Sequence, residues 1–320
     1  MAVSVSGPFY VGLDLGGTKV LALAATGEGQ VLGTALAATP DGSDRIIAAM
    51  ATVVEEAVEN AGLKPTGVAC IGIAAAGGID REHGRIVFSP NIPAISDTPV
   101  VELLRAKLDI PSVMGNDAQL AALGEQRFGA GRGHDNLLFI TISTGIGGGI
   151  IVGDQLLRGV HGQAGEVGHI SVDARGPNAR SMTAGAWEAF CSGTALVRIA
   201  GERMQAGEAS SMTPDGLSAP DIFEAMRAGD GLARSVIDDA IIYLGAGLTS
   251  LVNVIDPGKI IIGGGLSNEW DAYIAPGVEL MREQAFAGVG NLIDIVPPEL
   301  GAQAGALGGV ALAQDATQTS

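Results

Sequence analysis

The sequence predicts an α/β protein built as two related domains, and three observations predict it. Short apolar runs of strand length alternate with longer stretches of helical period. The same order occurs once in each half of the chain: a strand, a glycine turn, further strands, a helix, a buried strand. The 320 residues, 47% hydrophobic and 17% charged, suffice for a sizeable core and argue against intrinsic disorder.

The first three elements are apolar strands at residues 9–14, 19–26 and 30–37, the first two joined by a glycine turn. The period then changes. Ser43 caps a helix with Ile46, Ile47, Met50, Val53, Val54, Ala57 and Val58 on one face, stopped by Gly62 and Pro65. Residues 68–73 are a buried strand, Asp97-Thr98-Pro99 opens a helix through Leu108, and Val113-Met114 leads into Gly115-Asn116-Asp117 and a helix to Phe128. The second half repeats the plan. Strand 137–143 enters a second glycine turn, strands follow at 150–152 and 155–158, and helical patterns cover 186–204 and 220–254. Strand 259–262, a helix at 275–284, strand 292–296 and a last helix at 305–313 complete it. The change of domain is expected near Asp117–Gly131.

Composition excludes several function classes. Eighteen basic against 35 acidic residues give a net charge of −17, and no basic run exists. A nucleic-acid backbone or an anionic membrane would be repelled. Two cysteines, Cys70 and Cys191, exclude a disulfide framework and a four-cysteine zinc site and fit a reducing cytoplasm. No signal peptide is expected, because the first lysine is Lys19. Forty-nine glycines, about 15% against a usual ~7%, point to tight turns and close backbone approaches.

The chemistry-bearing residues fall in a few segments. In Asp14-Leu15-Gly16-Gly17-Thr18-Lys19, glycines let backbone N–H groups approach an anion, Thr18 and Lys19 add a hydroxyl and a cation, and Asp14 suits Mg²⁺ through water. The plain alternative is a β-hairpin turn. Ser143-Thr144-Gly145-Ile146-Gly147-Gly148-Gly149 is a second hydroxyl–glycine turn, neither a Walker A loop nor a Rossmann fingerprint. Gly263-Gly264-Gly265-Leu266-Ser267 follows a buried strand and suits close approach by an adenosine, or is an ordinary strand-to-helix connection. Asp117, between strand and helix, is either a general base or a helix cap. Glu166 and His169 stand three residues apart and, with Glu188, match the vicinal hydroxyls of a sugar. His83, His134 and His161 read as solvated loop residues.

Taken in order, these segments resemble the ROK family of repressors and sugar kinases, most closely its glucokinase-type members, over about residues 10–313. The resemblance implies an actin/hexokinase-like (ribonuclease-H-like) duplicated fold with an interdomain cleft. It implies a small domain at 1–117, with a C-terminal helix at about 303–314 packing back on it, and a large domain at 118–302. It makes Asp117 the base on a hexose 6-hydroxyl. Gly77, Gly78, Asn91, Asn116, Glu166, His169 and Glu188 become sugar ligands. ATP is held by Asp14, Gly16, Gly17, Thr18 and Lys19, by Thr144, Gly145, Gly147 and Gly148, and by Gly264, Gly265 and Leu266, with Mg²⁺ at Asp14.

The expected activity is ATP-dependent phosphorylation of glucose in the cytoplasm, by a homodimer or homotetramer at the head of glycolysis. Fructose, mannose, allose, N-acetylated amino sugars and a polyphosphate donor are the variants. A non-catalytic sugar-sensing protein is the other class; its repressor form is disfavoured because about nine residues precede the first strand. One segment departs from the family. Where many relatives carry three zinc-binding cysteines before the glutamate, this chain has Ala179, Ser181 and Ala186 ahead of Glu188. One histidine cannot complete a tetrahedral site, so no structural zinc is expected. Burial of Met182 and Trp187 is the expected substitute.

Overall fold

The computed structural model describes residues 7–178 and 183–318. They divide into two compact units. The first comprises the described residues within 1–139, 149–165 and 298–320, the second those within 140–148 and 166–297.

The first unit opens with β1 (Phe9–Leu15), β2 (Lys19–Thr26), β3 (Val31–Ala38) and α1 (Ser43–Asn60). There follow β4 (Val68–Ala75), a hairpin of β5 (Gly78–Asp80) and β6 (Arg85–Phe88), α2 (Val100–Leu108), β7 (Ser112–Asn116) and α3 (Asp117–Phe128). Its sheet has the order β3-β2-β1-β4-β7, antiparallel through β1, β2 and β3 and parallel from β1 to β4 and β7. The face packed on α1 is a continuous core of Val11, Leu13, Val20, Ile71, Ile73, Ile46, Met50 and Val54. The register sets Leu15 beside Ala75 and Ala75 beside Asn116, so β1, β4 and β7 end at one edge. Parallel sheets place their ligands at such carboxyl ends.

Strands β8 (Leu137–Ile142) and β9 (Ile146–Val152) each have residues in both units, and β10 (Gln155–Leu156) lies in the first. Next come α4 (Glu188–Cys191), α5 (Gly193–Gln205), α6 (Ala219–Arg227), α7 (Gly231–Ile255), β11 (Lys259–Gly263), α8 (Ala275–Gln284) and β12 (Asp294–Val296). The second sheet, β10-β9-β8-β11-β12, repeats the order of the first. Helix α7 is long and apolar enough to cross a membrane by composition, but half of its apolar window is buried, as in a core helix packed by α5, α6 and α8.

The last helix, α9 (Ala304–Gln318), returns to the first unit and lies on β1, β4 and α3. Glycine makes this possible. A methyl group on Gly12 would stand 1.8 Å from the Ala306 carbonyl oxygen, and one on Gly72 1.8 Å from that of Gly309. One on Gly308 would meet the Leu120 oxygen at 1.7 Å.

Several sequence expectations are corrected. Residue 117, the expected last residue of the small domain, is the first residue of α3. That helix stays with the first unit because α9 packs along it. The second glycine turn is shorter than expected: Gly147, Gly148 and Gly149 are strand residues of β9, and only Ser143–Gly145 turns. The helical stretch 186–204 breaks at Ser192, which caps α5, and 220–254 breaks before Asp230, which caps α7. The β5–β6 hairpin was not legible, being only three and four residues long.

Candidate functional site

In the first unit the candidate residues gather at the strand ends. Asp14 is the penultimate residue of β1. The turn after it is closed by the Gly16 N–H donating to the Lys19 carbonyl at 3.0 Å. Thr39 pins it from outside, its hydroxyl donating to the Gly16 carbonyl at 2.7 Å and its N–H to that of Thr18 at 3.0 Å. Gly17, Thr18 and Lys19 are exposed at its tip. Asn91 lies against this turn: a methyl group on Gly17 would be 3.4 Å from the Asn91 carbonyl oxygen. The nucleotide-side and sugar-side expectations therefore adjoin here.

Asn116 and Asp117 divide the two roles that the sequence left open at Asp117. The cap is Asn116, whose Oδ1 accepts the N–H groups of Ala118 at 3.0 Å and Gln119 at 3.1 Å. Its Nδ2 donates to the Gly77 carbonyl at 3.4 Å, tying the end of β4 to α3. Asp117 is thereby left as the first helical residue, half-buried, with its carboxyl not required for capping. Burial raises its pKa, and the N–H groups of Ala118 and Asp117 draw it partly back. Asp14 is pushed up to about 6, by burial first and then by the charge of Asp117, with Lys19 opposing. Two carboxyls, the charge of one raising the proton affinity of the other, one cation and an exposed glycine turn form a polar cluster in an otherwise apolar sheet.

Gly77 and Gly78 turn the chain from β4 into the hairpin. Gly77 has φ 114°, and a methyl group there would lie 2.1 Å from the Phe88 carbonyl oxygen, so the position admits only glycine.

In the second unit three turns meet. The Ser143 N–H donates to the Gly145 carbonyl at 2.8 Å, and the Gly193 N–H donates to that of Ser143 at 2.7 Å. The Thr194 hydroxyl donates to the Thr144 carbonyl at 2.7 Å. Gly264, at φ 89°, packs on β8, where an added methyl would be 2.3 Å from the Ile142 carbonyl oxygen. Gly265 lies beside the Ser143 hydroxyl, and Leu266 is buried beneath the turn. The start of α5, Ser192-Gly193-Thr194, was missed by sequence reasoning; its signal is a serine cap on a glycine. It presents a helix N-terminus beside the second glycine turn, which favours anionic groups.

Glu166 and His169 flank a 3₁₀ turn, with carboxylate and imidazole 3.7 Å apart. Gly168 between them sits on β9, its would-be methyl 2.1 Å from the Ile146 carbonyl oxygen. Glu188 Oε2 accepts the Ile146 N–H at 3.0 Å, which places this carboxylate against Gly145. Glu166, His169 and Glu188 are thus all referred to the start of β9.

The segment before Glu188 is held without cysteines. Trp187 is fully buried, its indole N–H donates to the Tyr243 carbonyl at 2.9 Å, and Gly247 makes room for its ring. The Gly185 N–H donates to the Pro177 carbonyl at 2.8 Å, and the Trp187 N–H to that of Ile170 at 2.8 Å. Ala179, Ser181 and Met182 lie outside the described residues. Among the described residues no three His, Cys, Asp or Glu side chains are grouped to hold a metal. Asp14 nonetheless fits Mg²⁺, a hard cation that takes one or two carboxylates with water and phosphate oxygens. The donors around His169 do not fit zinc.

Comparison with known proteins accounts for this arrangement. A glucokinase of Streptomyces coelicolor is 36% identical over 314 residues, covering 95% of this chain and 97% of its own length. The crystal structure of a ROK hexokinase from Thermus thermophilus superposes with a TM-score of 0.85 at 33% identity, covering 98% of this chain and all of that one. A ROK glucokinase from Streptomyces griseus, solved with glucose and AMPPNP, gives 0.78 at 36% identity, covering 96% and 99%. The ROK family profile itself matches residues 10–316, from β1 into α9. With both sheets, both glycine turns and the Glu-x-x-His turn inside that match, the chain belongs to the ROK family.

Proposed function

We propose that this chain phosphorylates the 6-hydroxyl of a hexose, glucose above all, with ATP as donor and Asp117 as general base. That it is a sugar kinase is supported by glucokinase relatives at 31–36% identity and by ROK hexokinase and glucokinase structures. ATP and glucose are supported by the relative solved with glucose and AMPPNP. The single observation that carries the base assignment is Asp117 itself: a half-buried carboxyl at the end of β7, its proton affinity raised by burial, released from capping by Asn116.

In this reading the oxygen of the sugar 6-hydroxyl attacks the γ-phosphorus, the bond from phosphorus to the bridging oxygen breaks, and ADP leaves. The hydroxyl proton passes to the Asp117 carboxylate. A base whose pKa lies nearer the working pH than a free carboxylate takes up this proton more effectively. Backbone N–H groups of Gly17, Thr18, Thr144 and Gly145, the positive dipole end of α5 and Lys19 compensate phosphate charge. Glu166, His169 and Glu188 accept and donate to the sugar hydroxyls, and Asn91, Gly77 and Gly78 line their surroundings. Mg²⁺, when held by Asp14 through water, would neutralise triphosphate charge. Assembly as a homodimer or homotetramer, residence in the cytoplasm and a place in glycolysis belong to the same proposal.

The test is ADP release with MgATP against glucose, mannose, fructose, allose, glucosamine, N-acetylglucosamine and N-acetylmannosamine. Glucose is expected to give the highest kcat/KM. Asp117→Asn is expected to cut turnover by at least about 10²-fold while glucose still binds. Turnover within threefold of the parent would overturn the base assignment, and silence on every sugar would overturn the substrate class.

A further inference from the structure

A cavity of about 580 Å³ opens in the first unit beside the β5–β6 hairpin, between Gly78–Glu82, Val87-Phe88 and Arg158–Gln163. Of its lining residues only Gly78 belongs to the machinery described above. Two arginines dominate it. Arg81, at the rim, is anchored by its Nε, which donates to the Met114 carbonyl at 3.2 Å. Arg158 is half-buried, and its Nε is buried with no hydrogen-bond partner among the described residues. Partial burial and then the like charge of Arg158 push Arg81 down to about 10.

Glu82 also lines the cavity, while the carboxylates of Asp80 and Asp315 have other partners. Asp80 gives both oxygens to His83, accepting its N–H at 3.1 Å and contacting Nδ1 at 2.9 Å. Asp315 acts on the Arg158 charge but is bonded to Arg127 at 3.0 Å. In a chain of net charge −17, two guanidinium groups lining one cavity, one of them with an Nε–H that has no partner among the described residues, are unusual. A phosphate group suits such a pair, since guanidinium forks match its oxygens bidentately. The remaining wall is not that of a bare-ion site. Phe88 is 55% and Val160 97% exposed, an apolar face for the C–H side of a sugar ring. His161 and Gln163 offer donors and acceptors to hydroxyls. The volume also suits a small metabolite better than a single ion.

We propose that this cavity binds a phosphorylated sugar, with its phosphate held by Arg81 and Arg158 and its ring on Phe88 and Val160. Naming a hexose 6-phosphate as the ligand rests on the kinase reading; the phosphate site does not. Occupancy also has a route to Asp117. Arg81 holds Met114 of β7, three residues before the base, and the hairpin begins at Gly77, whose carbonyl accepts the Asn116 amide.

The test is equilibrium dialysis of the full chain with radiolabelled glucose 6-phosphate, without nucleotide and with saturating glucose, beside inorganic phosphate at equal ionic strength. The parent is expected to bind the sugar phosphate at least tenfold more tightly than phosphate. Arg158→Gln and Arg81→Gln are each expected to lose at least tenfold in affinity while phosphorylating glucose at the parent rate in initial-rate assays. Binding that both variants retain, or no binding by the parent, overturns the site. Equal affinity for inorganic phosphate overturns the sugar. Because no ATP is present, a failed kinase assay and a failed binding assay are separate results. Should Arg158→Gln unfold, Arg81→Gln decides alone, since Arg81 is exposed.

Discussion

Asp14 shows how one residue of the candidate site trades stability for chemistry. Its carboxyl titrates at about 6 when folded, against 3.8 for a free side chain. A carboxyl raised in the folded state binds its proton more tightly there than in the unfolded chain. It therefore withdraws stability as pH rises from below 4 to above 6, the reverse of the usual salt-bridged carboxylate. The rise corresponds to roughly 3 kcal/mol at neutral pH. Asp14→Asn is expected to be more stable than the parent by up to that amount in urea unfolding at pH 7.5, and no more stable at pH 3.5. Its turnover should fall. Equal stability at both values would refute the charge strain. The cluster that causes the strain was only half legible in the sequence. The Asp-Leu-Gly-Gly-Thr-Lys run marks the turn, but the nearness of Asp117, a hundred residues away, depends on β1 and β7 ending at one edge of the sheet.

At the scale of elements, two packings without obvious sequence motifs hold the site. The contact of α9 with β1 and β4 is backbone on backbone through Gly12, Gly72 and Gly309. Gly72→Ala has no side chain to displace and is expected to cost about 3 kcal/mol or more, read as a fall in the urea midpoint with unchanged slope. The second packing is Trp187. Trp187→Ala is expected to cost about 3–5 kcal/mol and to raise KM for the sugar more than it lowers kcat, because Glu188 follows it directly. A kcat effect alone would place the damage elsewhere. Strands and long helices were legible from their periods. The helix breaks at Ser192 and Asp230 and the extent of β9 were not, since each depends on a cap or register that apolar periodicity does not encode. The reach of the first unit beyond residue 117 was hidden for a similar reason: it follows from tertiary packing of α3 on α9.

For the whole molecule, charge and composition carry the predictions. A net charge of −17 opposes a nucleic-acid partner. Duplex DNA at 50 mM salt is expected to migrate unshifted at any attainable concentration of the chain, and a retarded band would favour the sugar-sensing regulator. A zinc-selective chelator is expected to leave the melting temperature unchanged, because the residues that replace the cysteines supply no thiolates; a fall of several degrees would reveal a metal.

The placement of α9 has a consequence for how the protein is made. The first sheet is complete when Asn116 leaves the ribosome, yet the helix that covers it begins at Ala304. At ~5–20 residues per second the intervening stretch takes roughly ten to forty seconds to synthesise. Throughout that interval the nascent chain exposes the apolar face of β1, β2 and β4, Tyr10, Leu23 and Cys70 among its residues. Holding that face soluble until the last helix arrives is a task for chaperones, and the −17 charge of the finished chain cannot perform it.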